Sequence, residues 1–326
     1  MRPDLSVLLL TTLIGAGQGL FLALVTVQVY ALFALLPAQE GRTFFAPGSM
    51  IAVVLLVAGL AASFLHLGRP ERAWRAAAKW RTSWLSREVI VLPAFIAVVF
   101  IYGAAHFLGY TPVLAELPSN IPIDLTVVLG LIGTVLAFGL FLCTGMIYAC
   151  LPFLREWASP LTVVNFTLMG GASGFTLAAA LSAWTAPVLT SFLAGWALIL
   201  TMLAFAGRIA SLVRNAKLRP KSTLQTAIGV KHPNIVQKSQ GFLGGSFNTR
   251  EFFHGRSRQF LRAIRWVFPL AAFAIPAALL AASLMGATAT LLLAAAVIQY
   301  GGLLAERWFF FAEANHPQNL YYQAVA

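Results

Sequence analysis

The sequence predicts an all-α fold, a polytopic membrane helix bundle of about eight transmembrane helices in one integral membrane domain, 1–326. Three observations predict it. The chain is 60% apolar and only 10% charged, whereas a soluble globular protein carries roughly 25% charged residues. So few charges cannot cover a surface that faces water. Apolar stretches recur at a length of about 20 residues, which is what crossing the hydrocarbon core requires. The basic residues fall almost entirely in alternate loops between those stretches.

The spans are expected at about 5–36, 48–67, 89–109, 125–150, 161–183, 188–213, 266–286 and 288–311. The first run, from Leu5 to Leu36, is far longer than the apolar core of a signal peptide and lacks a clear small-residue cleavage site. It is read as the first span. The last two runs are separated only by a tight turn near Met285-Gly286-Ala287. Pro93, Pro269 and Pro276 fall within or near spans and can bend them. Gly15 and Gly19 are four residues apart, as are Gly170 and Gly174, a small-xxx-small spacing that lets helix backbones touch. Generic packing explains such pairs equally well.

Charge sets the orientation. The segment after span two holds Arg69, Arg72, Arg75, Lys79, Arg81 and Arg87. Arg155 follows span four, and a long basic stretch runs from Arg208 to Arg265, including the loop 214–262. Arg2 and Arg307 lie toward the two ends. With an even number of spans, 21 of the 22 Lys and Arg share one side, and Arg42 alone lies on the other with Glu40, Glu116 and Asp124. The positive-inside rule places the basic side, and both termini, in the cytoplasm. A seven-span arrangement breaks this segregation. The net charge of +12 therefore records topology and contact with membrane lipids, not binding of nucleic acid.

No ionisable residue is expected near mid-span. Glu88, Glu306 and Arg307 lie near cytoplasmic ends and His106 near the opposite end of span three. Ion pumps and proton-coupled transporters usually carry buried ionisable groups within the membrane, and transporters show broken, repeated helices; neither is clear here. Gln18, Gln28, Asn165 and Gln299 remain as groups able to line something polar. Cys143 and Cys150 are two helical turns apart, roughly 10 Å along the axis. They suit neither a mutual disulfide nor an iron–sulfur cluster, which usually needs four cysteine ligands.

The densest polar stretch runs from His66-Leu67-Gly68-Arg69-Pro70 to Ser83-Trp84-Leu85-Ser86-Arg87-Glu88. Ser86 is expected to cap span three, with Glu88 favoured in its first turn by the helix dipole. The functional reading is a quinone headgroup site. Reduction of a quinone takes two electrons and two protons, so its ring needs a hydrogen-bonding group at the membrane edge that also exchanges protons. Histidine titrates near neutral pH and can do both. A histidine at a span end can equally be an interfacial anchor. Bis-histidine haem ligation is excluded on spacing, because His106 lies some 18 residues along span three, roughly 27 Å from the cytoplasmic end.

These motifs, with Gly15-Ala16-Gly17-Gln18-Gly19, Thr144-Gly145-Met146-Ile147-Tyr148-Ala149, Glu306-Arg307-Trp308-Phe309-Phe310-Phe311 and Asn319-Leu320-Tyr321-Tyr322, resemble the membrane anchor subunits of the dimethyl sulfoxide reductase family. The resemblance covers nearly the whole chain except about 215–262. It implies an eight-helix anchor of a bacterial inner (cytoplasmic) membrane, without haem or iron–sulfur cluster of its own. Its partners would be a molybdopterin catalytic subunit and a four-cluster iron–sulfur subunit, and its cofactor a quinone (ubiquinone or menaquinone). The family's quinone-site histidine and glutamate fall on His66 and Glu88, with Arg69, Gln18 and Tyr148 as further quinone-site candidates. Arg72, Arg75, Arg81 and Arg87 are candidates for partner docking. Because the motif loop is the basic one, the chain most resembles the cytoplasm-facing branch, the anchors of sulfite-oxidising complexes. Rival readings are a quinol-oxidising anchor of dimethyl sulfoxide reductase, a non-catalytic scaffold and a transporter.

Overall fold

The computed structural model describes residues 1–65, 67–117, 121–219, 222–236, 253–286 and 289–321. Among these residues, eight helices are long and apolar enough to cross a membrane, so the fold is an all-α polytopic bundle. Helix α1 (Leu5–Leu32) begins at Asp4, whose side chain accepts from the Ser6 amide. A π-helical turn, Gly41–Phe45, leads into α2 (Ala46–Phe64). An exposed 3-10 segment, Pro70–Lys79, then precedes α3 (Trp84–Leu108). Gly109 closes α3 at φ 69°, the left-handed conformation that glycine adopts without penalty.

The only strands described are β1 (Val113–Leu117) and β2 (Ile121–Asp124), a short antiparallel hairpin between α3 and α4 (Leu125–Ala149). Ser159 and Pro160 open α5 (Pro160–Thr185), with serine as the cap and proline in the first turn, where its missing N–H costs nothing. Helix α6 (Thr190–Ala216) is followed by the short α7 (Leu224–Ile228). The seventh long helix is compound: α8 (Arg258–Pro269), a π-helical turn Leu270–Ala274, and α9 (Ile275–Leu284). The widened turn follows Pro269, which cannot complete the regular hydrogen-bond ladder. Gly286, at φ 101°, turns the chain after α9, and α10 (Ala289–Glu313) returns to the end of the bundle that holds the start of α1.

Helices α1 and α5 are buried on nearly every face, and the other six pack around them. That explains why these two carry the small-residue spacings. Gly19 lies against the backbones of Gly170 and Gly174 at the α1–α5 crossing, and Gly15 meets Gly170 there.

Three expectations require correction. Helix α3 starts at Trp84, so its cap is Ser83, whose hydroxyl accepts from the Ser86 amide at 3.3 Å. Ser86 is inside the helix, and Glu88 is beyond the first turn, where the dipole effect fades. Arg208 is not part of the basic loop. It lies on α6, is 3% exposed, and meets acidic side chains from α10. Ionisable groups within the helices are therefore more numerous than hydropathy suggests. Finally, Arg258, Arg262 and Arg265 belong to α8, an amphipathic start to the seventh long helix, rather than to a loop. His66, and from the basic loop Gly241-Phe242-Leu243-Gly244-Gly245 and Phe252, lie outside the described residues.

Candidate functional site

At the basic end of the bundle, α1, α3, α4 and α5 converge around Glu88. The Glu88 side chain leaves the second turn of α3 toward α4, where its Oε1 accepts from Thr144 Oγ1 at 2.5 Å. Glu88 is 6% exposed. Burying a carboxyl costs free energy unless it is hydrogen-bonded, and Thr144 provides that bond. Gln18 from α1 reaches the same place, with Nε2 donating to the Ala137 carbonyl at 2.8 Å.

Glu88, Gln18, Thr144 and Thr11 line one small cavity, walled by Phe141 and Phe166. Its volume, ≈ 10 Å³, is about that of one water site. A carboxyl, two hydroxyls and an amide border this space. They cannot enclose a six-membered ring in this space. The structure thus brings Gln18 and Glu88 to the wall of one small cavity.

Tyr148 sits apart from the carboxyl in an aromatic cluster. It stacks on Phe166 at 5.6 Å between centroids and meets Trp157, Phe310 and Phe311 edge-on. Phe166 also walls the Glu88 cavity, so Tyr148 is one ring removed from it. Arg69 is exposed at the start of the 3-10 segment. Arg72 and Arg75 are exposed on it, and Arg81 follows it beside Trp80. Trp74 and Trp80 are also exposed. This end therefore presents a surface of guanidinium groups and indole rings. Arg87 is used differently. It donates to the carbonyls of Trp80 and Arg81 at 2.9 and 2.8 Å and lies over the Trp84 ring. It clasps the segment into α3.

Sequence reasoning missed Thr144 as the partner of Glu88, although Thr144 opens one of the motifs that carry the family resemblance. It also missed a second polar cluster on the other side of Phe166. Arg307 lies 3.6 Å over that ring, close enough for a cation–π contact. Glu306 bridges Arg208 at 2.7 Å and Arg307 at 3.1 Å, and Glu313 lies 3.7 Å from Arg208. Two arginines and two glutamates balance in charge, which is the condition under which buried charges persist. Asn165 and Ser211 border this cluster and are joined by a 2.7 Å hydrogen bond.

A third polar group lies at the opposite end. Tyr102 donates to Gln28 at 2.9 Å, Gln28 to Thr126 at 2.6 Å, and Thr126 to Asp124 at 2.7 Å. Gln18 and Gln28 are ten residues apart on α1, roughly 15 Å. Phe21, Leu24 and Phe95, each fully buried, occupy the level between them. An apolar layer thus separates the two polar ends.

An apolar bundle with a buried carboxyl cluster at one end, beneath an exposed basic surface, is suited to anchoring a soluble redox unit. The model of the family "DMSO reductase anchor subunit (DmsC)" matches residues 1–309, and the chain belongs to that family. It is 57% identical over 326 residues, 100% of both chains, to a sulfite dehydrogenase subunit of Allochromatium vinosum. The protein is a membrane anchor subunit of a molybdoenzyme oxidoreductase complex, a family that interacts with quinone and works with catalytic and iron–sulfur subunits.

Proposed function

We propose that this anchor reduces quinone at the cytoplasmic edge of the bacterial inner membrane, with electrons that a molybdopterin subunit takes from sulfite and a four-cluster iron–sulfur subunit delivers. The full-length likeness to a sulfite dehydrogenase subunit supports sulfite as the substrate of the head. Either ubiquinone or menaquinone suits the site, and the chain carries no haem or cluster of its own. His66 and Arg69 hold the ring, Glu88 relays protons with Thr144 and Gln18 beside it as hydrogen-bonding groups, and Tyr148 steadies the Phe166 wall. Arg72, Arg75 and Arg81 contact the iron–sulfur subunit, and Arg87 shapes the segment that carries them.

The reading rests above all on the Glu88–Thr144 pair with Gln18 beside one water-sized cavity. Each quinone takes two electrons from the partner cluster and two protons to become quinol. Protons drawn from the cytoplasmic side meet the electrons there, and the apolar layer between Gln18 and Gln28 leaves them no polar route across. Glu88→Gln keeps the shape but removes the exchangeable acid. In the purified complex it is expected to slow quinone reduction about tenfold, less than the ~10²–10⁴ of a sole acid–base group, because water substitutes in part. Reduction of a soluble acceptor by the head should be unchanged. Unaltered quinone turnover would remove Glu88 from the proton path.

The orientation follows from the 21 basic residues on one side. Reporter fusions at residues 40 and 118 are expected to read external and one near residue 235 internal. An external reading near 235 would reverse the topology and, with it, the cytoplasmic placement of the head.

A further inference from the structure

At the end of the bundle away from the basic surface, two cavities share Arg42. One is an apolar groove of ≈ 390 Å³ between α2 and α3, lined among others by Met50, Val53, Val99, Phe100 and Phe107. The other is a wider, open cavity of ≈ 660 Å³ whose lining includes the polar side chains of Glu40, Asp124, Gln28, Thr126 and His106. Arg42 stands in the wall of both. Its Nε donates to the Phe107 carbonyl at 2.8 Å, which fixes the guanidinium at the junction and uses one of its five N–H donors.

The open cavity is built rather than incidental. His106 is 7% exposed, stacks on Phe45 at 4.6 Å and packs its backbone against Gly41, between Glu40 and Arg42. Its Nε2 is buried without a hydrogen-bond partner. Asp124 Oδ1 is held by Thr126 and by the Val127 amide. The groove descends from Phe107 to Val99, eight residues of α3 or roughly 12 Å. That is close to the ~15 Å hydrocarbon depth of one leaflet.

We propose that these two cavities together bind one aminophospholipid, with its phosphate on Arg42, its primary ammonium on the carboxylates of Glu40 and Asp124, and one acyl chain in the α2–α3 groove. Charge complementarity selects this class. A guanidinium recognises phosphate through paired N–H donors. Carboxylates beside it recognise a cation that carries N–H donors. Phosphatidylcholine offers a cation without such donors. Phosphatidylglycerol offers no cation, and its net negative charge would face two acidic residues. Arg42 is the single Lys or Arg on this side of the chain, so little else there attracts an anionic lipid.

Native mass spectrometry of the purified complex tests the assignment, after exchange into phosphatidylethanolamine, phosphatidylcholine or phosphatidylglycerol with identical acyl chains. One phosphatidylethanolamine is expected to remain bound, at least tenfold more than either other lipid. Glu40→Gln, an exposed substitution that leaves the fold alone, should bring phosphatidylethanolamine and phosphatidylcholine to near parity. Arg42→Gln keeps a donor for the Phe107 carbonyl and should lower retention of all three. Equal retention of the three lipids by the unaltered complex, a preference for phosphatidylglycerol, or a preference for phosphatidylethanolamine that survives Glu40→Gln would each overturn the proposal. The readout is binding, so it stands or falls separately from the quinone reading.

Discussion

His66→Ala is expected to abolish quinone reduction by the assembled complex, a loss of at least ~10²-fold, while the head still reduces a soluble acceptor. The physical reason is a division of labour. Glu88 and Gln18 are 6% and 1% exposed and share a cavity of ≈ 10 Å³, so neither can lie flat against a ring. In the proposed site the group that contacts the quinone comes from the edge of the bundle, where the chain leaves α2 for the 3-10 segment. In the sequence His66 falls between those two elements, and histidine is a residue type that can both hydrogen-bond and exchange protons near neutral pH. Copurification of all subunits would show that the variant assembles. Full quinone turnover in such a complex would misplace the site.

The eight long apolar helices were legible in the sequence, because a membrane span is dictated by local properties. An apolar run long enough to span must form a helix, since its backbone polar groups have no water to bond, and loop charge orients the set. The small-residue spacings on α1 and α5 likewise reflect a local requirement, a face narrow enough for backbones to meet. Pairings between helices are not local. Nothing in the spacing of Glu88 points to Thr144, 56 residues away, because the rotation of each helix is set by packing and not by hydropathy. Arg208 shows the same limit from the other side. A basic residue late in an apolar run reads as a group at the membrane edge, yet Arg208 is buried about two turns inside the end of α6. Glu306 and Glu313 on α10 offset the charge and make its burial possible. The second cluster behind Phe166 became visible only once α5, α6 and α10 were placed together.

The crossing of α1 and α5 is where a single methyl group should matter most to the fold. A Cβ on Gly174 would overlap the backbone of Gly19 and Leu20, and one on Gly19 would overlap the Gly170 carbonyl. The obstacle is main chain in both cases, so no side-chain rotation relieves it and the helices must separate. In a membrane, close packing is the main force between helices, because lipid competes equally for apolar surface. Inserting a methylene into a packed core typically costs ~1–3 kcal/mol, and a backbone obstruction falls at the upper end of that range. Gly174→Ala is therefore expected to lower the thermal midpoint of the purified complex by several degrees, and Gly174→Val to prevent recovery of assembled anchor. Gly195 on α6 provides the control. A Cβ there meets nothing within 4 Å, and alanine is the better helix former by about 0.5–1 kcal/mol, so Gly195→Ala should leave stability unchanged or raise it. Because Gln18 precedes Gly19 in the chain, separation of the two helices should also open the Glu88 cavity. Quinone reduction should then fall in any Gly174→Ala complex that still assembles. If Gly174→Val assembles with normal yield and stability, the two helices do not approach as closely as this crossing requires.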